Sequence, residues 1–202
     1  MLIMTTANRP FDRICLDVVE PLPSTPSNNM FILTIQDELS RYALAVALPR
    51  TDTSIVAQAF VEFFVCIYGI PTSILTDRGT NFLSDLFKQT CKILNIGQNK
   101  TTPWHPQTNG YLERSHKTLK TYLRSFVDKD NNWDTLLCYA MFTYNTTIHT
   151  FTGFTPYEFI FGKQPNISAN FFRDPEPQYN YENYALDLKR IMRETQEAAR
   201  SK

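Results

Sequence analysis

Two acids, Asp77 and Glu113, stand with 35 residues between them (113 − 77 − 1 = 35), and a third, Asp17, lies well upstream. Each sits in a distinctive run: Asp17 in ICLDVVEPLP (14–23), Asp77 in LTDRGTNF (75–82) and Glu113 in HPQTNGYLERSHKTLK (105–120). Separated carboxylates that converge in space can hold two hard divalent cations against a phosphodiester. Magnesium prefers oxygen ligands and keeps coordination positions for water and substrate phosphate. Two such ions can activate the attacking oxygen and stabilise the leaving one. Each acid also has a plainer explanation. Asp17, costly in an apolar run unless paired or metal-bound, could lie on an exposed edge strand. Asp77 could cap the turn DRGT, and Glu113 could be a solvated helix residue.

The helix expected over about 108–128 adds to this. At 100° per residue, Lys117, Lys120 and Arg124 fall within about 40° of Glu113, while Leu112, Leu119, Leu123 and Phe126 cluster about 110° away. One face suits a core; the other presents a carboxylate among bases. Glu–Lys support at i,i+4 explains Glu113 with Lys117 but not the ridge beyond it. Lys and Arg placed there would neutralise nucleic-acid phosphates. His105, Gln107 and Asn109 occupy the loop leading to that helix, where Thr108 or Asn109 could also serve as its cap. Trp104 suits either base stacking or core packing.

These groups need a frame. RICLDVV (13–19), MFILTIQ (30–36) and ALAVALP (43–49) read as three strands of an antiparallel meander, the first two joined by the turn PLPSTPSNN. From Thr53 the spacing turns helical, with Ile55, Val56, Ala59, Phe60, Phe63, Phe64 and Ile67 on one apolar face. Asp52 or Thr53 is the candidate cap, and Gly69 with Pro71 the stop. TSILTD (72–77) reads as a buried strand that runs into Asp77. A helix over about 84–94 with Gly97 at its exit, a brief strand near 98–101, the long helix, and another helix over about 132–147 complete the order. Alternating strands and helices predict an α/β class, in which ligand sites lie at strand ends. The polar segment 182–202 is expected to be a solvated terminal helix.

With 20 basic and 20 acidic residues among 202, the formal charge is zero, so nucleic-acid affinity must come from local patches. Cys15, Cys66, Cys91 and Cys138 form no CxxC pair and are expected to be reduced and mostly buried. They make no zinc pattern with His105, His116 and His149. The N-terminal residues lack a signal peptide's apolar stretch, and no segment approaches a membrane span. The sequons at Asn99, Asn145 and Asn166 are therefore expected to be accidental.

The runs around the three acids, together with FILTIQDELSRYALAVAL (31–48), YGIPTSILTDRGTNFLSDLF (68–87) and TYNTTIHTFTGFTPYEFIFGKQP (143–165), resemble the catalytic core of retroviral-type integrases, the D,D(35)E family, and most nearly those of gypsy-type LTR retrotransposons. The resemblance implies an RNase H-like fold, a five-stranded mixed sheet flanked by helices. It divides the chain into an N-terminal linker (1–10), a catalytic core (11–165), and a linker with a C-terminal helix (166–202). It implies a metal-dependent polynucleotidyl transferase and endonuclease that performs 3′-end processing and strand transfer. Asp17, Asp77 and Glu113 would be at once the catalytic residues and the ligands of two Mg²⁺ or Mn²⁺ ions. His105, Gln107, Asn109, Lys117, Lys120 and Arg124 would contact DNA, both element ends and target. The resemblance also implies a homo-oligomer, dimer or higher, a nuclear location or a cytoplasmic particle before nuclear entry, no secretion, no membrane partners, and excision from a longer Pol-type polyprotein. The family's usual His/Cys zinc module is not among these residues. Glu20 stands where the family usually has Gly, and His116 where it usually has Asn; neither change removes a ligand. Asp37 matches a recurrent family Asp and is expected to be structural or a turn cap. Two rivals remain: an adopted or degenerate copy that binds nucleic acid or protein without catalysis, and a structure-specific nuclease on the same fold.

Overall fold

A computed structural model describes residues 7, 9–19, 21–76, 82, 84–100, 121–124, 132–150, 152–166, 186, 189–190 and 192–194. Five strands form one mixed sheet: β1 (Arg13–Val19), β2 (Phe31–Asp37), β3 (Ala43–Leu48), β4 (Ser73–Thr76) and β5 (Gly97–Lys100). Their spatial order is β3-β2-β1-β4-β5. The meander β1-β2-β3 is antiparallel, while β4 joins β1 and β5 joins β4 in parallel. Parallel neighbours require crossovers, supplied by α1 (Thr53–Phe60) and its extension between β3 and β4, and by α2 (Asp85–Ile93) between β4 and β5.

Strand alternation sends side chains to two faces. Ile14, Leu16, Leu33, Ile35 and Ile74 pack with Val56, Phe60, Phe64, Phe87 and Cys91 of α1, its extension and α2. Val19, Ile32 and Ala43 share the opposite cluster with Leu123 and with Trp133, Leu137 and Met141 of α3 (Trp133–Thr146). The sheet is thus covered on both faces, as the sequence led us to expect.

The helix beginning at Thr53 departs from its expected face. Val56, Ala59, Phe60 and Phe64 are buried, but Phe63 is 47% exposed and Ile67 63%. A π-helical turn, Val61–Val65, interrupts the α-helix before Cys66–Tyr68. Its wider i→i+5 turn advances less per residue than an α-turn, so a face drawn at constant pitch no longer follows the core. Gly69 ends the helix with φ 95°, as expected of a glycine stop. Asp52 occupies the N-cap position without a side-chain cap bond, because its carboxylate pairs with Arg50.

Ser84 caps α2 by accepting from the Phe87 N–H. The exit of α2 lies earlier than expected, at Asn95 in left-handed backbone (φ 54°). Gly97 instead begins β5, where an added Cβ would lie 3.3 Å from the Thr72 carbonyl oxygen.

The segment TPYEFIFG holds a helix that the sequence reading omitted, α4 (Pro156–Phe161). Thr155 accepts from the Glu158 N–H, Pro156 opens the helix, and Gly162 closes it at φ 66°. Each is a recognised end signal. The described residues of the expected terminal helix are helical. Among the cysteines, Cys15 and Cys91 are buried, whereas Cys66 and Cys138 are exposed; all four are free.

Buried polar groups fix the meander. Asp37 acts as a turn cap: its carboxylate accepts from the Ser40 N–H at 2.7 Å, the Ser40 hydroxyl at 2.6 Å and the Phe11 N–H at 2.8 Å. The Asn145 amide donates to the Ala43 carbonyl at 2.8 Å and accepts from the Ala43 N–H at 2.9 Å. It supplies a rung to the edge strand β3, so the sequon at Asn145 is buried and committed to the fold. Asn145→Ala should strip two buried backbone groups of their partner and cost roughly 2–4 kcal/mol. Urea unfolding measures this; a change below about 0.5 kcal/mol, the size of an ordinary surface effect, would show that the rung is dispensable.

Candidate functional site

Asp17 lies on β1, the central strand of the sheet, and is half-buried. Its register partner on β2 is Thr34. Direct cross-strand partners share a face, so Asp17 stands on the side that carries Val19, Ile32 and α3. Pairing with β2 runs to Val19–Ile32, and pairing with β4 is described to Leu16–Thr76, Thr76 being the last described residue of β4. Asp17 is the next residue of β1 after that pair.

Hydrogen bonds hold this position from two sides. One carboxylate oxygen of Asp17 (Oδ1) accepts from the Val18 N–H at 2.8 Å. The Thr34 hydroxyl donates to the Asp17 carbonyl at 3.1 Å. Carboxylate oxygens near the carboxyl end of a strand suit a hard cation. Among the described residues, no three His, Cys, Asp or Glu side chains gather to hold a metal ion. Asp77 and Glu113, named from sequence as the other ligands, lie outside the described residues, as do His105, Gln107, Asn109, Lys117 and Lys120.

One turn of the basic helix is described, 121–124. Leu123, assigned from sequence to the core face, is buried in the cluster that includes Val19 and Ile32. Arg124 is exposed, as its place on the basic face requires. The Tyr122 hydroxyl donates to the Ala140 carbonyl at 3.0 Å, tying this turn to α3. The described turn therefore packs on the face of the sheet that carries Asp17.

A model of the integrase core domain family matches residues 7–106, a segment that includes Asp17, Asp77 and every strand of the sheet. This chain carries an integrase core domain. Among relatives, the integrase core is 34% identical over 192 residues to the retrovirus-related Pol polyprotein from transposon 412 of Drosophila melanogaster. That match covers 94% of this chain and 16% of the polyprotein, so the chain spans about a sixth of its relative's length. The catalytic core domain of BIV integrase superposes with a TM-score of 0.59 at 23% identity, over 74% of this chain and 93% of that one. The HTLV-2 integrase catalytic core domain in complex with magnesium, in a trimeric form, gives 0.57 at 20% identity, over 74% and 95%. The integrase core has the RNase H-like fold of these structures.

Other perturbed groups of the integrase core belong to its scaffold. Burial pushes the Cys15 thiol up to about 12, with the nearby Glu38 carboxylate adding to the effect. Burial raises Asp37 to about 6, against its hydrogen bonds from Ser40 and Phe11. Burial lowers His149 to about 4, assisted by the positive charge of Arg41. The signs of the last two oppose each other. Asp37 contributes stability below its ordinary pKa that is lost as pH rises through 6. His149 contributes stability above its ordinary pKa that is lost as pH falls through 4. Replacing His149 by Gln should therefore reduce the fall in melting temperature between pH 6.5 and pH 4. Equal falls in variant and parent would show that His149 titrates alike in the folded and unfolded chains.

Proposed function

We propose that this domain is the catalytic core of a retroelement integrase, a divalent-metal-dependent polynucleotidyl transferase that processes DNA 3′ ends and joins them to target DNA. The observation that carries this reading is the position of Asp17, one residue beyond the Leu16–Thr76 pair. In the chain, Asp77 is the residue that follows Thr76. This register supports the reading, because both acids follow directly on paired residues. The turn 121–124, on the helix expected to carry Glu113, packs on the same face.

In this proposal Asp17, Asp77 and Glu113 would hold two Mg²⁺ or Mn²⁺ ions. The ions would supply charge neutralisation and activation of the attacking oxygen. The protein's part is to position: the Val18 N–H and the Thr34 hydroxyl fix the Asp17 segment, and the basic face with Lys117, Lys120 and Arg124 holds DNA phosphates. His105, Gln107 and Asn109 are proposed to contact the DNA end. No protein nucleophile is needed, since attack comes from water in processing and from a DNA 3′-hydroxyl in joining. Such chemistry on chromosomal DNA would take place in the nucleus, with the domain released from a longer polyprotein.

A preformed branched DNA asks least of an isolated core, because it already places the reacting hydroxyl beside the scissile bond. The expected outcome is Mn²⁺-dependent resolution of that substrate, abolished by Asp17→Asn and by Glu113→Gln. A folded protein that binds branched DNA but leaves it intact at every Mn²⁺ concentration would favour the non-catalytic binding module.

A second copy of the chain is the proposed partner. Phe63, Ile67 and Phe142 are exposed around a groove whose floor includes Leu44, Val46 and Met141, and no lining residue is charged. Tyr139 stands 69% exposed on the next turn of α3. Aromatic side chains bury about 150–250 Å² each. These residues can supply part of the roughly 800 Å² one partner contributes to a stable interface. Projecting rings beside a groove on one surface suit an isologous pair. Phe63→Glu with Ile67→Glu should convert the oligomer to a monomer in sedimentation velocity while the circular dichroism spectrum is retained. An unchanged sedimentation coefficient would place the interface elsewhere.

A further inference from the structure

β3 stands at one edge of the sheet, and the direction of its main-chain groups can be assigned residue by residue. In an antiparallel ladder, successive residues turn their N–H and C=O groups alternately toward and away from the neighbouring strand. The Asp37 N–H donates to the Tyr42 carbonyl from within the sheet, while the Asn145 amide bonds both main-chain groups of Ala43 from outside it. Tyr42, Leu44 and Val46 therefore face β2, and Ala43, Ala45 and Ala47 face away from it. Asn145 fills the outward position at Ala43. Pro49, next in the same series, has no N–H to offer. Between these two stops, the outward N–H and C=O groups of Ala45 and Ala47 meet no hydrogen-bond partner among the described residues.

Proteins commonly blunt an edge strand with a charge, a proline or a bulge. The strand ALAVAL has no charged residue, and its pairing with β2 runs without interruption from Ala43 to Leu48. Ala45 and Ala47 are only partly buried. Apolar side chains flank this edge on both faces of the sheet. Leu44 and Val46 pack toward α1 and its extension, where Phe63 and Ile67 project. Ala45 and Ala47 pack toward α3, where Tyr139 and Phe142 project. The apolar groove runs between these walls with Leu44, Ala45 and Val46 in its floor. A strand laid along β3 would send its side chains alternately to the two walls.

We propose that a second copy of the chain pairs with this one edge to edge, β3 against β3, antiparallel about a twofold axis at Val46, so that two sheets become one. This rests on the reading of a second copy as the occupant of the groove. The register follows from the groups that are open. Ala45 of one copy lies opposite Ala47 of the other, and each such pair exchanges two N–H···O=C bonds. The two symmetric pairs use every outward group between Asn145 and Pro49. Each β3 ends at Leu48, before it would run into Asn145 of the other copy. The same axis brings Phe63 and Ile67 of both copies together on one face, and Tyr139 and Phe142 on the other. A second copy thus covers both walls as well as the floor, which a lone extended peptide would not.

The test is amide hydrogen exchange of the full chain, read residue by residue by NMR, with the association state followed by sedimentation velocity. Phe63→Glu with Ile67→Glu supplies the monomer for comparison. The inward N–H groups of Leu44 and Val46 should be protected in both states. Those of Ala45 and Ala47 should exchange about tenfold or more slowly in the dimer than in the monomer. In a second arm, Ala47→Pro removes an outward N–H and leaves the β2 ladder intact. Because symmetry removes that bond twice, dimerisation should weaken by about tenfold or more, with an unchanged circular dichroism spectrum. If the glutamate pair breaks the dimer while Ala45 and Ala47 exchange alike in both states, strand pairing is wrong and the groove still holds a second copy. If no dimer forms, or the glutamate pair leaves it intact, that reading of the groove fails and edge pairing falls with it. Protection of Ala45 and Ala47 already in the monomer would show that another part of the chain occupies the edge, and would overturn the proposal.

Discussion

The parallel register of β1 and β4 is the constraint on which the proposed site depends. It pairs Leu16 with Thr76, so Asp17 and Asp77 each follow directly on a paired residue. In open α/β sheets ligands bind outside the carboxyl ends of parallel strands. Asp17 is half-buried there; its carboxylate accepts from the Val18 N–H, and the Thr34 hydroxyl donates to its carbonyl from the neighbouring strand.

The remainder of the sheet is made rigid by groups with no part in that chemistry. Asp37 ties the Ser40 N–H and hydroxyl of the β2–β3 turn to the Phe11 N–H before β1. Asn145 reaches from α3 to complete the edge of β3. The Trp133 indole donates to the Pro23 carbonyl at 2.8 Å, and Asp134 accepts from Thr25 and Asn29 at 2.9 Å each. The loop that follows β1 is thereby fastened to the start of α3. Buried polar networks of this kind specify one arrangement when every member is satisfied, which a site assembled from distant segments requires.

Much of this frame could be read from the residues. Alternation and β-branched content located β1, β2 and β3 almost to the residue, and Ser84 with Leu123 behaved as their types and spacing implied. Three features were missed for identifiable reasons. The π turn at Val61–Val65 breaks the constant pitch on which helical-face arguments rest, so Phe63 and Ile67 were assigned to the core although they face solvent. The helix at Pro156–Phe161 is too short to show apolar periodicity, although its Thr-Pro-x-Glu start and Gly stop were present. Asn145, seen only as part of a sequon, owes its role to a backbone group about a hundred residues away, which no local pattern reveals. The pairing of Asp17 with Thr34 is likewise a matter of register rather than spacing. The acids beyond Thr76 were legible only through the runs around them.

The central proposal is that Asp17 and Asp77, which follow the paired residues Leu16 and Thr76, share one cation. Anomalous diffraction from crystals grown with Mn²⁺ tests it most directly. The account expects a manganese peak with one oxygen of each carboxylate at about 2.0–2.6 Å, the range for hard divalent cations. A well-ordered structure in which Mn²⁺ bypasses both acids, or binds one of them with the other turned away, would contradict it.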